Sequence, residues 1–230
     1  MKKSLSVCPN QSETIGGACY LAFQLMLLPS ILMAVNDLLS PALNEAQLNF
    51  IFYLINFLAV LVIFHDFLGS SLTLAFRHPV MLCQAVILGF VAYFACAEGM
   101  EWIIGKLVPS YSNYNDEAIF AMAGANRFLM VIGTVILVPP AEECIFRGLI
   151  FRKLYGKNRF AAYLVSILAF SCIHILGYIG VYSPLELTMA VLEYLPAGIW
   201  LAWSYTKADT IFAPILIHAA VNYITINGLR

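Results

Sequence analysis

Apolar residues run along this chain in long blocks, separated by short polar or charged stretches. Seven blocks approach the roughly 20 apolar residues that a bilayer crossing requires. They cover about 17–35, 49–67, 79–104, 128–151, 160–176, 185–205 and 211–226. Most lack the polar outer face that a helix of a soluble bundle carries. The pattern predicts an all-α fold, a polytopic transmembrane helical bundle of about seven spans. Between the blocks, 36–47 reads as a polar connection, 69–78 as a short loop, and 108–126 as a loop with an interfacial turn. Pro29 marks the first span, Pro196 the sixth and Pro214 the seventh. The fourth carries Pro139-Pro140. Proline lacks a donor and disfavours helix in the residue before it, so a broken or kinked helix is expected just before Glu142. Pro140 is suited to start the helix again.

Composition strengthens this picture. The chain is 62% hydrophobic and 11% charged, with a mean hydropathy of +0.86, where soluble domains carry about 25% charged residues. A net charge of -1 gives no sign of a nucleic-acid partner. The six cysteines are scattered without a C-x-x-C pair, so neither a disulfide framework nor a thiolate metal site is expected. Lys2-Lys3 reads as the flank of an uncleaved first span. If the spans alternate, Lys2, Lys3, Arg77, Lys207 and the basic stretch 152–159 share one side, while Lys106, Arg127 and Arg230 share the other. The positive-inside rule then places the N-terminus in the cytoplasm. Residues 1–126 read as N-terminal spans and a loop, and 127–230 as the core that carries the chemistry, within one bundle.

That chemistry begins at Glu142-Glu143-Cys144-Ile145-Phe146-Arg147, three charged groups inside an apolar span. Each charge at the centre of a spanning helix costs about 2.5–3.5 kcal/mol unless it finds a partner or a wet cavity. Two further patterns lie on later spans, Phe170-x-x-x-His174 and His218-x-x-x-Asn222. Residues four apart share a helix face, so Glu143 faces Arg147, Phe170 faces His174 and His218 faces Asn222. Glu142 is turned about 100° from Glu143. Arg147 is therefore expected to neutralise Glu143, leaving Glu142 to face a cavity shared with His174 and His218, where a carboxylate can work as a general base. The amide of Asn222 suits stabilisation of an oxyanion. A zinc-type site with Glu142, His174 and His218 as ligands is also open; against it, the H-E-x-x-H signature is absent and the ligands come from three separate helices. Glu193 reads either as a cavity group or, preferably, as the partner of a polar group on a neighbouring span. His65, Asp66, Glu98 and Glu101 read as interfacial, and Trp102, Trp200 and Trp203 as an aromatic belt.

E-E-x-x-x-R, F-x-x-x-H and H-x-x-x-N, in this order, resemble the motif set of the CPBP family of intramembrane proteases. That family includes the type II CAAX prenyl endopeptidases and bacterial bacteriocin-processing and self-immunity proteins. The resemblance covers about 127–227. It implies hydrolysis of a peptide bond in a membrane-associated or lipophilic peptide by water activated at Glu142 and His174. His218 and Asn222 would stabilise the oxyanion or help hold a metal, with Glu143, Arg147 and Phe170 in support. It also implies an integral membrane protein with the lipid bilayer and a peptide or lipopeptide as its partners; the Lys-Lys start and short loops are compatible with a bacterial member, so a bacterial plasma membrane is the expected location. Whether a divalent metal such as zinc takes part is left open. Two rival readings remain: a non-catalytic immunity or scaffold protein whose polar cluster fixes helix packing, and a proton-coupled transporter, for which no inverted repeat is visible.

Overall fold

The computed structural model describes residues 5–228; Lys2, Lys3 and Arg230 lie outside the described residues. The helices, in order, are α1 (Gln11–Met26), α2 (Leu28–Asp37), α3 (Glu45–Ile63), α4 (His65–Arg77), α5 (Pro79–Leu107), α6 (Tyr114–Ala125), α7 (Arg127–Tyr155), α8 (Arg159–Ile173), α9 (Pro184–Ala208) and α10 (Phe212–Ile226). Short polar side chains set most of the starts. Asn10, Asn44 and Ser183 form reciprocal capping boxes with Glu13, Gln47 and Glu186, and Asn113, Asn126 and Asn158 cap α6, α7 and α8. Each accepts a hydrogen bond from a first-turn amide that has no partner within the helix.

All seven apolar blocks are helical, but fewer than seven reach the length of a span. By length and composition α3, α5, α7 and α9 can each cross a membrane, and α1 with α2, bent by 47°, makes a fifth if the pair is one broken span. α8 and α10 have 15 residues each, a rise of about 22 Å against a hydrocarbon core of about 30 Å. Their apolar runs are cut short, α8 by the turn at Leu176–Tyr178 and α10 by the turn at Asp209, whose φ is 58°. Both pack against the longer α9. Two stretches read as loops are helices instead. Residues 65–77 form α4, with Phe67, Ser71 and Ala75 buried one turn apart, and 114–125 form α6.

α7 is the central helix. In its most apolar window 56% of residues are buried, against 17–33% in the other three long helices. It runs through Pro139-Pro140 without the expected break. Two stretches of wide π-type turns, Ile132–Leu137 and Cys144–Phe151, take up the irregularity. The Val138 amide reaches back five residues to the Gly133 carbonyl, which widens the turn just before the proline rings. Close approaches hold α7 and its neighbours in place. A Cβ at Gly133 would lie 2.7 Å from the Tyr53 ring, and one at Gly198 would lie 3.1 Å from the Ile167 Cα, so α7–α3 and α8–α9 meet where a side chain is missing.

An N-terminal strap closes one end of the bundle. Arg152 donates from Nε to the Val7 carbonyl and from Nη2 to the Leu5 carbonyl, both at 2.9 Å. Asp209 accepts from the Ser6 amide at 2.8 Å. Buried Glu13 accepts from the Phe67 amide at 2.8 Å and so ties α1 to the first turn of α4. The 152–159 stretch, read as a topology signal, thus also anchors the strap. The loops 108–113 and 174–183 lie at the opposite end.

Candidate active site

Glu143 and Arg147 lie one turn apart on α7, and both are fully buried. Arg147 Nη1 donates to Glu143 Oε1 at 2.9 Å and Nη2 to the Ala197 carbonyl at 3.4 Å. The guanidinium also lies over the Phe170 ring, 4.3 Å from its centre. Along α10, His218 brings Nδ1 to the same Glu143 oxygen at 3.0 Å. A carboxylate oxygen only accepts, so Nδ1 carries the hydrogen, and Nε2 faces Glu142 Oε2 at 3.9 Å. One carboxylate therefore fixes both a guanidinium and an imidazole, the arrangement by which an outer group orients a functional histidine.

His174 stands at the end of α8. Its Nδ1 donates to the Phe170 carbonyl at 2.7 Å, so in the neutral ring Nε2 is the acceptor. Its ring stacks on Tyr194 with centres 4.2 Å apart and lies 4.8 Å from Phe170, which also meets His218 edge-on at 5.9 Å. Phe170 is thus the apolar wall shared by both histidines and Arg147. Asn222, one turn after His218, donates from Nδ2 to the Thr134 carbonyl at 2.8 Å.

These side chains meet in one cavity of about 680 Å³, lined by Glu142, Phe170, His174, His218 and Asn222 together with residues of α1, α2, α3, α6 and α9. Glu142 is a half-buried carboxylate on its wall, and the buried Oε2 has no hydrogen-bond partner among the protein groups. The structure places Glu143 and Arg147 behind the cavity and the other five motif residues on its wall. The metal reading fits less well. Among the described residues, the one trio of His, Cys, Asp or Glu ligand atoms lying within 4.8 Å of one another is Glu13, His65 and Asp66. Glu142, His174 and His218 do not close to that distance, and no step is routed through an ion there. Cys144 is fully buried in the core, while Cys172 is exposed on α8.

Several cavity residues lay outside the three motifs. Glu193 lines the cavity and accepts from the Tyr111 hydroxyl at 2.7 Å, a partner in the 108–113 loop rather than on a neighbouring span. Tyr194 comes from the same helix, and Asp116, Asn113 and Tyr178 come from stretches read as loops. Burial, with the Glu193 hydrogen bond added, pushes the Tyr111 phenol above its usual range. The hydrogen bond from Tyr114 to Glu186 raises that phenol to about 12. His65 and Asp66 are exposed at 3.2 Å from each other.

A helical membrane protein with a buried Arg–Glu–His relay behind a carboxylate-lined cavity is the class these features define. Residues 124–224 match the family described as "Type II CAAX prenyl endopeptidase Rce1-like". The resemblance borne by seven motif positions thus extends over that whole stretch. The chain is 34% identical over 96 residues to "Putative membrane peptidase YdiL" of Bacillus subtilis, covering 41% of this chain and 34% of that protein. It is 29% identical over 87 residues to "UPF0177 protein YxdF" of Lactococcus lactis, covering 38% of this chain and 42% of that protein. The matched stretch therefore spans well under half the length of either relative. No solved structure matches the chain.

Proposed function

We propose that this integral membrane protein is an intramembrane endopeptidase that hydrolyses a peptide bond of a membrane-associated peptide with Glu142 as general base. The observation that carries this reading is the pairing of Glu142 Oε2, which lacks a protein partner, with His218 Nε2 at 3.9 Å on the cavity wall. A water at about 2.8 Å from both atoms bridges that gap at an angle of about 90°. Glu142 takes a proton from this water as its oxygen attacks the carbonyl carbon, and later returns the proton to the departing amine nitrogen. The two hydrogens of the water point at Glu142 Oε2 and His218 Nε2, and His174 Nε2, the acceptor nitrogen of a ring on the same wall, takes a hydrogen bond from the amide N–H of the bond to be cut. Glu143, itself neutralised by Arg147, keeps the His218 ring in place.

The test uses purified protein in liposomes with a panel of membrane peptides. Glu142→Gln and His174→Gln should each lower cleavage by about 10²–10⁴-fold, while the melting temperature stays near that of the native chain. Undiminished cleavage in either variant overturns the roles assigned here. If both variants keep function whenever the protein accumulates, the cluster serves packing alone. We also assign the strap end to the cytoplasm of a bacterial cell. Arg77, Arg152, Lys153, Lys157, Arg159 and Lys207 lie there, against Lys106 and Arg127 at the cavity end. The cavity then opens on the extracytoplasmic side. Labelling of Cys8 by an impermeant thiol reagent only after the cells are broken open supports this; labelling in intact cells reverses it.

A further inference from the structure

Of the two imidazoles on the cavity wall, His174 has the less secure footing. His218 lies inside α10, and its Nδ1 is tied to the buried Glu143–Arg147 pair. His174 stands at the C-terminal cap of α8, where the helix gives way to the turn at Leu176–Tyr178. Among the described residues, its one ring hydrogen bond is local, from Nδ1 to the Phe170 carbonyl at 2.7 Å. A hydrogen bond at one ring atom fixes a point and leaves the plane free to swing about it. The lone pair of Nε2 lies in the ring plane, so the plane decides where that lone pair is aimed.

Tyr194 supplies the missing restraint. Its ring is stacked on His174 with centres 4.2 Å apart and planes 25° apart, whereas Phe170 meets the same imidazole at 4.8 Å and 53°. A near-parallel stack resists rotation of either ring out of the shared plane. Tyr194 is itself braced from outside α8. It belongs to α9, and its hydroxyl and the Asn113 side chain lie 3.4 Å apart, each able to donate to the other. Asn113 in turn caps α6 through its side chain. The preceding residue, Glu193, accepts from Tyr111 of the same loop at 2.7 Å.

From this we infer that Tyr194 is the positioning residue of His174: its face sets the imidazole plane and so aims Nε2 at the amide of the bond to be cut. The effect on cleavage rests on the endopeptidase reading, but the orientation of the ring can be read without it.

The experiment uses the full chain in nanodiscs, with histidine labelled at the ring carbon between its nitrogens, and the same membrane peptides for kinetics. The chain has four histidines, and the His174 signal is the one lost in His174→Gln. Its Hε1 should lie upfield of the exposed His65 and His78 signals, because it sits over the Tyr194 face. Tyr194→Leu removes the face. It should move that signal downfield and lower kcat about 10–100-fold with KM little changed. Tyr194→Phe keeps the face and should restore the signal and most of the rate. A purely structural role moves the melting temperature but neither the His174 signal nor the rate per folded molecule, and that outcome overturns the inference. So does a native His174 signal that is not shifted, or a Tyr194→Phe rate as low as that of Tyr194→Leu. Should Tyr194→Leu fail to fold, Tyr194→Met, which also lacks a ring, takes its place. If the signals behave as expected but the native chain cleaves none of the peptides, the positioning of the ring stands and the protease reading falls.

Discussion

Substituting Glu143 by glutamine isolates the charge at the centre of the bundle. Glutamine keeps the size of the side chain and an acceptor oxygen, but removes the negative charge 2.9 Å from Arg147 Nη1. Both residues are fully buried, and Arg147 Nε already lacks a hydrogen-bond partner among the protein groups. The guanidinium then has a neutral acceptor in place of its counter-charge, besides the Phe170 ring and a long bond to the Ala197 carbonyl. The ring contributes about 2 kcal/mol when desolvated, but equally before and after the change, so it offsets nothing. Removing one partner of a buried pair costs about 3–5 kcal/mol. At about 2–4 °C per kcal/mol for a chain of this size, melting in nanodiscs should fall by about 6–20 °C. The double variant Glu143→Leu/Arg147→Met removes both charges and should recover most of that loss. Cleavage should not recover with it and should stay about 10–100-fold low, because His218 Nδ1 has lost the acceptor that orients its ring. A Glu143→Gln melting point within about 2 °C of the native value, or full cleavage in the double variant, would refute the relay.

Three other perturbations probe the frame around the site. Gly198→Ala places a methyl 3.1 Å from the Ile167 Cα; overpacking of about 1–3 kcal/mol should outweigh the gain in helix propensity, seen as a lower melting temperature. Arg152→Gln removes two charge-assisted bonds to the Leu5 and Val7 carbonyls, so limited proteolysis should cut the first ten residues several times faster, and unchanged cutting would show the strap to be held by other contacts. The Tyr114 phenol sits at about 12 because it donates to Glu186. Its neutral form is favoured in the folded chain, so that contribution is present below the unfolded value near 10 and is lost as pH rises through about 12. Ultraviolet titration of the native chain minus that of Tyr114→Phe should show the step near 12, and Glu186→Gln should move it down toward 10.

How far the sequence reached differs from one feature to the next. Helix type and order follow from apolar block length, and the seven motif residues follow from charge in apolar surroundings plus four-residue spacing. The Glu143–Arg147 contact is local to one helix, so spacing alone predicts it. The bond from His218 to Glu143 joins residues 75 positions apart, and no local rule says which of two adjacent carboxylates an imidazole from another helix will reach. α4 and α6 were missed because their amphipathic or mixed patterns are too short and polar to register as spans. Asp116 and Tyr194 were missed as site residues for a related reason: nothing marks a residue as facing a cavity until the packing of several helices is known. Apolar content does not report rise, so the sequence did not show that α8 and α10 are only 15 residues long.

The wide turn before Glu142 leaves an accounting problem that a residue on another helix solves. In a regular helix the Thr134 carbonyl would take the Val138 amide, but that amide has moved to Gly133. The next candidate in the wider ladder is residue 139, a proline with no hydrogen to give. The side-chain amide of Asn222 fills the place. Pro139 and Asn222 are in this sense complementary halves of a single joint between α7 and α10, and a chain that loses the ring at 139 no longer needs the amide at 222 to keep that carbonyl satisfied.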